Sequence, residues 1–353
     1  MWKRAAILIC CCVVGATAIA QETMLRSKSQ LVLVPVSIAG KRGRPVRDLT
    51  EDDLVLYDNN VARRIQMEDV SLPISLAVVV QTTPEAQIVL DKLRKETSVI
   101  GPMITGDKGE AAVVAFGREV LTVQPFTSNE DEVANALRKL DATGVGGSMA
   151  EAVSTALNLL AARPAGRRRV LLLISEKHDF RSSNAAVSAD VDLAQHLNVT
   201  VYSLAFSPSK SAWTNQMPKY CDPPEPAKKC RVCARTCGNC GNQCDRPDGK
   251  PQPFVPNQGA YSLNLGALIM AAKKATRSNV GDMLAKFTGG EQTDFSTRAG
   301  LDGVLERVSR DLHGQYLLSF VPAGGSPGEY RTLRVEVKGR GDLSVRFRPG
   351  YTL

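Results

Sequence analysis

Aromatic side chains make up only 5% of the chain, and there are three histidines, His178, His196 and His313. After residue 20, no stretch is apolar and long enough to span a bilayer. No Gly-Lys-Ser/Thr phosphate loop and no dinucleotide fingerprint is present. Beyond residue 20, cysteine is confined to one short stretch, Cys221 to Cys244. These absences exclude whole classes of function. Nucleic-acid binding usually pairs basic clusters with stacking aromatics, and the clusters Lys41–Arg47 and Arg167-Arg168-Arg169 have none beside them. Despite a net charge of +8 they read as a solvated turn and a helix-to-strand loop, so no nucleic-acid partner is expected. With 43% hydrophobic and 23% charged residues, the chain is an ordinary globular protein.

What is present begins with an export signal. Trp2-Lys3-Arg4 forms a positive start, Ala5 to Val14 an apolar core, and Ala18-Ile19-Ala20 a small-x-small cleavage site before Gln21. Residues 1–20 therefore read as a signal peptide that takes Cys10, Cys11 and Cys12 with it. Ile9 is too bulky for the residue before a lipidated cysteine. The expected product is periplasmic or secreted, with no stable membrane insertion after cleavage. Export changes the reading of Cys221, Cys230, Cys233, Cys237, Cys240 and Cys244. Two Cys-x-x-Cys pairs would suggest zinc in a reducing compartment. In an oxidising one, an even number of clustered cysteines reads as a disulfide framework of open connectivity.

Hydrophobic pattern organises the rest. Leu31–Ile38 reads as a strand that Pro35 pushes towards a sheet edge. Asp52–Asn60 reads as a second strand and turn, and Arg64–Met67 as a third. Strands and helices then alternate. Leu76–Val80, Ala111–Phe116, Val170–Ile174 and Val199–Ala205 are apolar strands, with Val120–Val123 paired to the second of them. Helices are expected from Pro84 and over Glu130–Leu140, Met149–Leu160, Ala185–Leu197 and Ala299–Leu312, and order resumes after the insertion at Val280–Phe287. This order predicts an α/β fold with a doubly wound, mostly parallel sheet covered on both faces. Residues 207–262, rich in Pro, Gly and Cys, read as an insertion. Tyr316–Val321, Leu333–Val337 and Leu343–Phe347 are closing strands. Gly324-Gly325-Ser326-Pro327-Gly328 matches a nucleophile elbow literally, but a strand follows it where a helix is required.

The strand at 75–80 ends abruptly at Gln81-Thr82-Thr83-Pro84-Glu85. In open α/β sheets ligands bind at the carboxyl ends of such strands. That strand, Thr143–Ser148, Val170–Ile174 with its Ser-Glu-Lys-His-Asp loop, Phe287–Glu291 and the closing Arg346-Phe347-Arg348-Pro349-Gly350-Tyr351 together resemble a von Willebrand factor A domain. They are similar to bacterial exported proteins that place this domain between two small β segments. The resemblance implies an N-terminal β segment at 21–72, a von Willebrand factor A-like domain at 73–314 holding the 207–262 insertion, and a C-terminal β segment at 315–353.

It also implies a metal-ion-dependent adhesion site, where Asp-x-Ser-x-Ser, a Thr and a later Asp hold Mg²⁺ and a partner's carboxylate completes the shell. Here Gln81, Thr83 and Glu85 stand in the first motif, Ser148 replaces the Thr and Glu176 the later Asp. A small cation that demands near-octahedral oxygen geometry tolerates such changes poorly. The expectation is a degenerate, metal-free edge with no cofactor, on a non-enzymatic protein that binds a protein partner in the cell envelope or outside the cell. The alternatives are a Mg²⁺-dependent adhesion module with an atypical site, and an enzyme using the cysteine-rich loop or His178 for thiol or metal chemistry.

Overall fold

The computed structural model describes residues 31–68, 72–95, 108–164, 166–179, 181–206, 279–295 and 300–353. The cysteine-rich insertion with its six cysteines and the proposed signal peptide lie outside the described residues, as does Ile100.

Strand β5 (Ile74–Gln81) is buried along its whole length. It lies inside a six-stranded sheet of order β10-β9-β8-β5-β6-β7. The other members are β6 (Glu110–Phe116), β7 (Val120–Thr127), β8 (Arg168–Glu176), β9 (Val199–Phe206) and β10 (Gln292–Phe295). All pairings are parallel except β6 with β7. Side chains alternate across a strand, so β5 feeds two cores. Leu76, Val78 and Val80 pack against helix α1 (87–95), α2 (Glu130–Arg138) and α6 (Gly300–Gly314). Ala77 and Val79 face α3 (Met149–Ala161), α4 (Asn184–His196) and α5 (Val280–Thr288). A strand with two buried faces needs an unbroken apolar run. Each fully buried Val or Leu contributes roughly 1.5–3 kcal/mol. Val79→Asp would place a carboxylate in the second core and break the sheet there.

The expected doubly wound sheet is present. Strand β10 is missing from the sequence reading, because Gln-Thr-Asp-Phe is too polar and short to signal a strand. Its pairing with β9 alone explains why it can be so.

The remaining strands form two antiparallel sheets, β13-β1-β11-β4 and β14-β12-β2-β3. Each sheet draws on both ends of the chain. Strand β1 (Val32–Ala39) pairs with β11 (Tyr316–Phe320) and β13 (Ser344–Arg346), and β2 (Leu54–Asp58) pairs with β12 (Tyr330–Val337). The last strand, β14 (Gly350–Thr352), lies beside β12. Val34, Val36, Leu56, Leu318, Phe320 and Val335 share one core between the sheets. The two flanking segments are thus a single β-sandwich.

Two local expectations change. Asn59 and Asn60, at φ 47° and 65°, make a tight turn that the left-handed tolerance of Asn permits. Strand β3 (Val61–Arg63) starts directly after it, and β4 (Gln66–Glu68) then joins the other sheet, with buried Ile65 at the crossing. The expected third strand over Arg64–Met67 is present only from Gln66, as β4, and β3 at Val61–Arg63 is a further strand ahead of it in the other sheet. Pro35 sits in an interior strand rather than an edge strand. Residues Val32–Val36 pair with β11 alone, and β13 takes over the other side only from Ser37, so the missing N–H leaves no gap. The Gly324–Gly328 stretch connects β11 to β12 and opens onto a strand, as expected.

The expected solvated loop at Arg167-Arg168-Arg169 changes: Arg167 precedes β8, Arg168 and Arg169 open the strand itself, and protein acceptors hold all three. Arg167 donates to Ser75 Oγ and the Ile74 carbonyl. Arg168 donates to the Leu312 carbonyl near the end of α6, and Arg169 to Leu160 and Leu197 at the ends of α3 and α4. Helix C-termini present unpaired carbonyls and partial negative charge, which guanidinium groups satisfy.

Candidate functional site

The parallel strands β5, β6, β8 and β9 all end on one edge of the sheet, set by the registers Gln81 with Phe116, Val80 with Ile174 and Glu176 with Phe206. Gln81 and Glu176 come from adjacent strands and meet there. The Glu176 backbone N–H donates to Gln81 Oε1 at 2.7 Å. That donor fixes the carboxamide orientation, because only its oxygen can accept. Gln81 Nε2 is then turned towards Thr83 Oγ1 and Glu176 Oε2, each at 2.8 Å. Gln81, Thr82 and Thr83 are all buried. One neutral side chain thus closes the edge with three hydrogen bonds.

A second layer supports it. Thr82 donates its N–H to the Phe116 carbonyl at 2.7 Å and accepts from the Thr143 N–H at 2.8 Å. The Thr82 and Thr143 hydroxyls lie 3.4 Å apart, and Thr143 Oγ1 accepts from the Arg118 N–H. A Cβ at Gly117 would collide with both hydroxyls, and one at Gly146 would collide with the Arg118 carbonyl. The glycines therefore let the 143–148 loop lie directly on the turn after β6. Sequence reading marks the stretches that hold Thr82 and Thr143 but not Gly117 or the contact between the threonines, which depends on packing between distant segments.

The other expected residues are placed differently. Ser148 caps α3, accepting from the Glu151 N–H at 3.2 Å. Among the described residues no hydrogen bond joins it to Gln81 or Glu176. Glu85 sits half-buried in the turn Pro84–Ala86, beyond the end of β5. Glu176 is half-buried, and burial pushes its carboxyl up from the ordinary range. The Gln81 hydrogen bond and His178 oppose that rise, while the charges of Glu85 and Asp179 add to it. His178 is exposed in the loop after β8.

Residues 84–178 match the family model for the von Willebrand factor type A domain. This chain carries a von Willebrand factor A domain. The match spans α1 to β8, and the sheet continues on either side of it. Solved structures share the likeness at low identity. A von Willebrand factor type A protein from Catenulispora acidiphila is 12% identical over 92% of this chain and 75% of its own, with a TM-score of 0.44. An aerotolerance-related membrane protein from Bacteroides fragilis is 13% identical over 68% of this chain and 98% of its own, with a TM-score of 0.38. The hypothetical protein BatB from Bacteroides thetaiotaomicron is 14% identical over 38% of this chain, with a TM-score of 0.32. This chain spans 66% of the length of BatB. No curated protein matches the sequence. Among the described residues, no helix is long and apolar enough to cross a membrane.

The von Willebrand factor A fold implies a divalent cation at this edge. The donor set here does not fit one. Gln81 directs its NH₂ group, a donor, at the two oxygens that a cation would need, and Ser148 is engaged by its own helix. Among the described residues, no group of three His, Cys, Asp or Glu could hold a metal ion.

Proposed function

We propose that this protein is an exported, non-enzymatic binding protein whose von Willebrand factor A domain engages a protein partner through its carboxyl edge without a metal ion. The Gln81 carboxamide carries this reading. It donates to Thr83 and Glu176, the positions where the family places metal ligands, and so puts an N–H donor where an ion would have to sit. The export signal at residues 1–20 supports a partner in the cell envelope or beyond it. The thiol chemistry that would compete needs reduced cysteines, whereas six clustered cysteines in an exported chain favour disulfides.

Affinity capture from envelope extract in the presence of a chelator tests the proposal, with Glu85→Ala as the comparison. A partner retained in chelator and lost with the variant is the expected result. Capture that requires added Mg²⁺ would overturn metal independence. Equal capture by the folded variant would remove the edge from the binding surface.

A further inference from the structure

We infer that a protonated Asp190 carboxyl latches helix α4 to α3, and that loss of its proton to water loosens this pair. The inference stands apart from the metal-independent reading above. Asp190 lies on the stripe of α4 that carries Val187 and Ala194, three residues before it and four after. Both pack in the core that α4 shares with Val153 and Leu157 of α3. Asp190 is 1% exposed. Aspartate is rarely buried to this extent unless a partner compensates its charge.

Its compensation is minimal. The Ser154 hydroxyl of α3 donates to Asp190 Oδ1, while Oδ2 is enclosed and has no hydrogen-bond partner. The charged and titratable groups on the elements packed against α4 have other roles. In α3, Glu151 is exposed, and in α5 Asp282 and Lys286 pair with each other at 2.7 Å. Tyr202 of β9 donates to Asp311, and Tyr351 of β14 donates to Asp58. On α4 itself, Asp192 accepts from Thr352 and His196 is exposed. Arg169 and Arg348 donate to the carbonyls of Leu197 and Gln195 around the end of the helix. Among the described residues no cation pairs with Asp190.

One neutral hydroxyl does not offset the cost of burying a carboxylate, so the group holds a proton instead. Burial raises its carboxyl from 3.8 to about 7, against the opposing hydrogen bond from Ser154. The protonated form carries an O–H that the Ser154 oxygen can accept, so the tie between the helices survives protonation. Ionisation leaves a charge between two helices with a single donor. The folded chain thus binds this proton more tightly than the unfolded chain does. The contribution is complete below 3.8 and is lost as pH rises through about 7.

The test is a carboxyl ¹³C titration of the protein, with unfolding and α4 amide exchange measured for Asp190→Asn beside the parent. The Asp190 carboxyl carbon is expected to titrate at about 7. Between pH 6 and 8 the parent's unfolding equilibrium constant should rise about tenfold relative to that of the neutral variant. Exchange of the α4 amides, after allowance for base catalysis, should quicken over the same interval in the parent alone. A carbon midpoint near 3.8 would overturn the inference even if the variant does not fold. The same pH profile of stability in parent and variant would overturn it too. So would α4 exchange that changes alike in both.

Discussion

The two ends of the central sheet use polar groups in opposite ways. At the amino end, charge is consumed by the fold. Arg346 donates to Asp311 Oδ2 at 2.6 Å, Ser37 Oγ at 2.9 Å and the Gly289 carbonyl at 2.7 Å, joining the β-sandwich to α6 and to the residue after α5. Tyr202 donates to the same Asp311 oxygen, and Gln315 donates to Ser37 and accepts from Arg168. At the carboxyl end a neutral carboxamide does the closing, donating to Thr83 Oγ1 and Glu176 Oε2. A cationic network that terminates helices and docks a sandwich is structural. A carboxamide that closes the edge where α/β sheets bind ligands is the feature on which the proposed metal-independent binding rests.

That contrast can be broken at either end. The largest effect is expected from Asp311→Ala, which strips Arg346 and Tyr202 of their shared acceptor. Denaturant unfolding should show a loss of about 3 kcal/mol, as for other broken buried pairs. Gln81→Ala should cost about 2 kcal/mol, because it orphans the Glu176 N–H and removes the donor to Thr83 Oγ1 and Glu176 Oε2. A cost near zero would mean that the carboxamide does not close the edge.

The pH dependence of Glu176 comes next. Its carboxyl is raised in the folded state, so the fold holds this proton more tightly than the unfolded chain does. Its contribution is complete at low pH and is lost as pH rises through the raised value. Glu176→Gln should therefore be more stable than the parent at neutral pH. The difference should close as pH falls below the ordinary carboxylate value of 4.5. Unfolding curves across this window check the sign.

The smallest effect is expected from Arg348→Met. Arg348 is 3% exposed, and among the described residues its Nε has no hydrogen-bond partner. Burial lowers its guanidinium to about 10, and its nearest acceptors are the Gln195 carbonyl at 3.3 Å and Asn198 Oδ1 at 3.5 Å. Replacing a buried charge that lacks a carboxylate with an apolar side chain of similar length should change stability by less than about 1 kcal/mol. A large loss would show that Arg348 belongs with Arg346 as a necessary tie.

The legibility of each part follows its physics. Leu76–Val80 and Val170–Leu173 are readable because a strand buried on both faces admits only apolar residues. The sandwich is not readable as one body. The pairing of Val32 with Phe320 or Leu54 with Val337 joins segments nearly the whole chain apart, and no local pattern encodes it. At the site, the residue types at positions 81, 83, 85 and 176 are visible in the sequence, as is their departure from a metal-binding motif. The hydrogen bonds that Gln81 makes there depend on the register of β5 with β8, which only the fold supplies. Ser148 shows the limit from the other side. Its position matches the family motif, yet its hydroxyl serves as the cap of α3.

Thermal unfolding in chelator and in millimolar MgCl₂ or MnCl₂ tests the central claim most directly, since a ligand that binds only the folded state raises its melting temperature. The melting temperatures are predicted to coincide. A rise of several degrees with either ion would contradict an edge closed by Gln81.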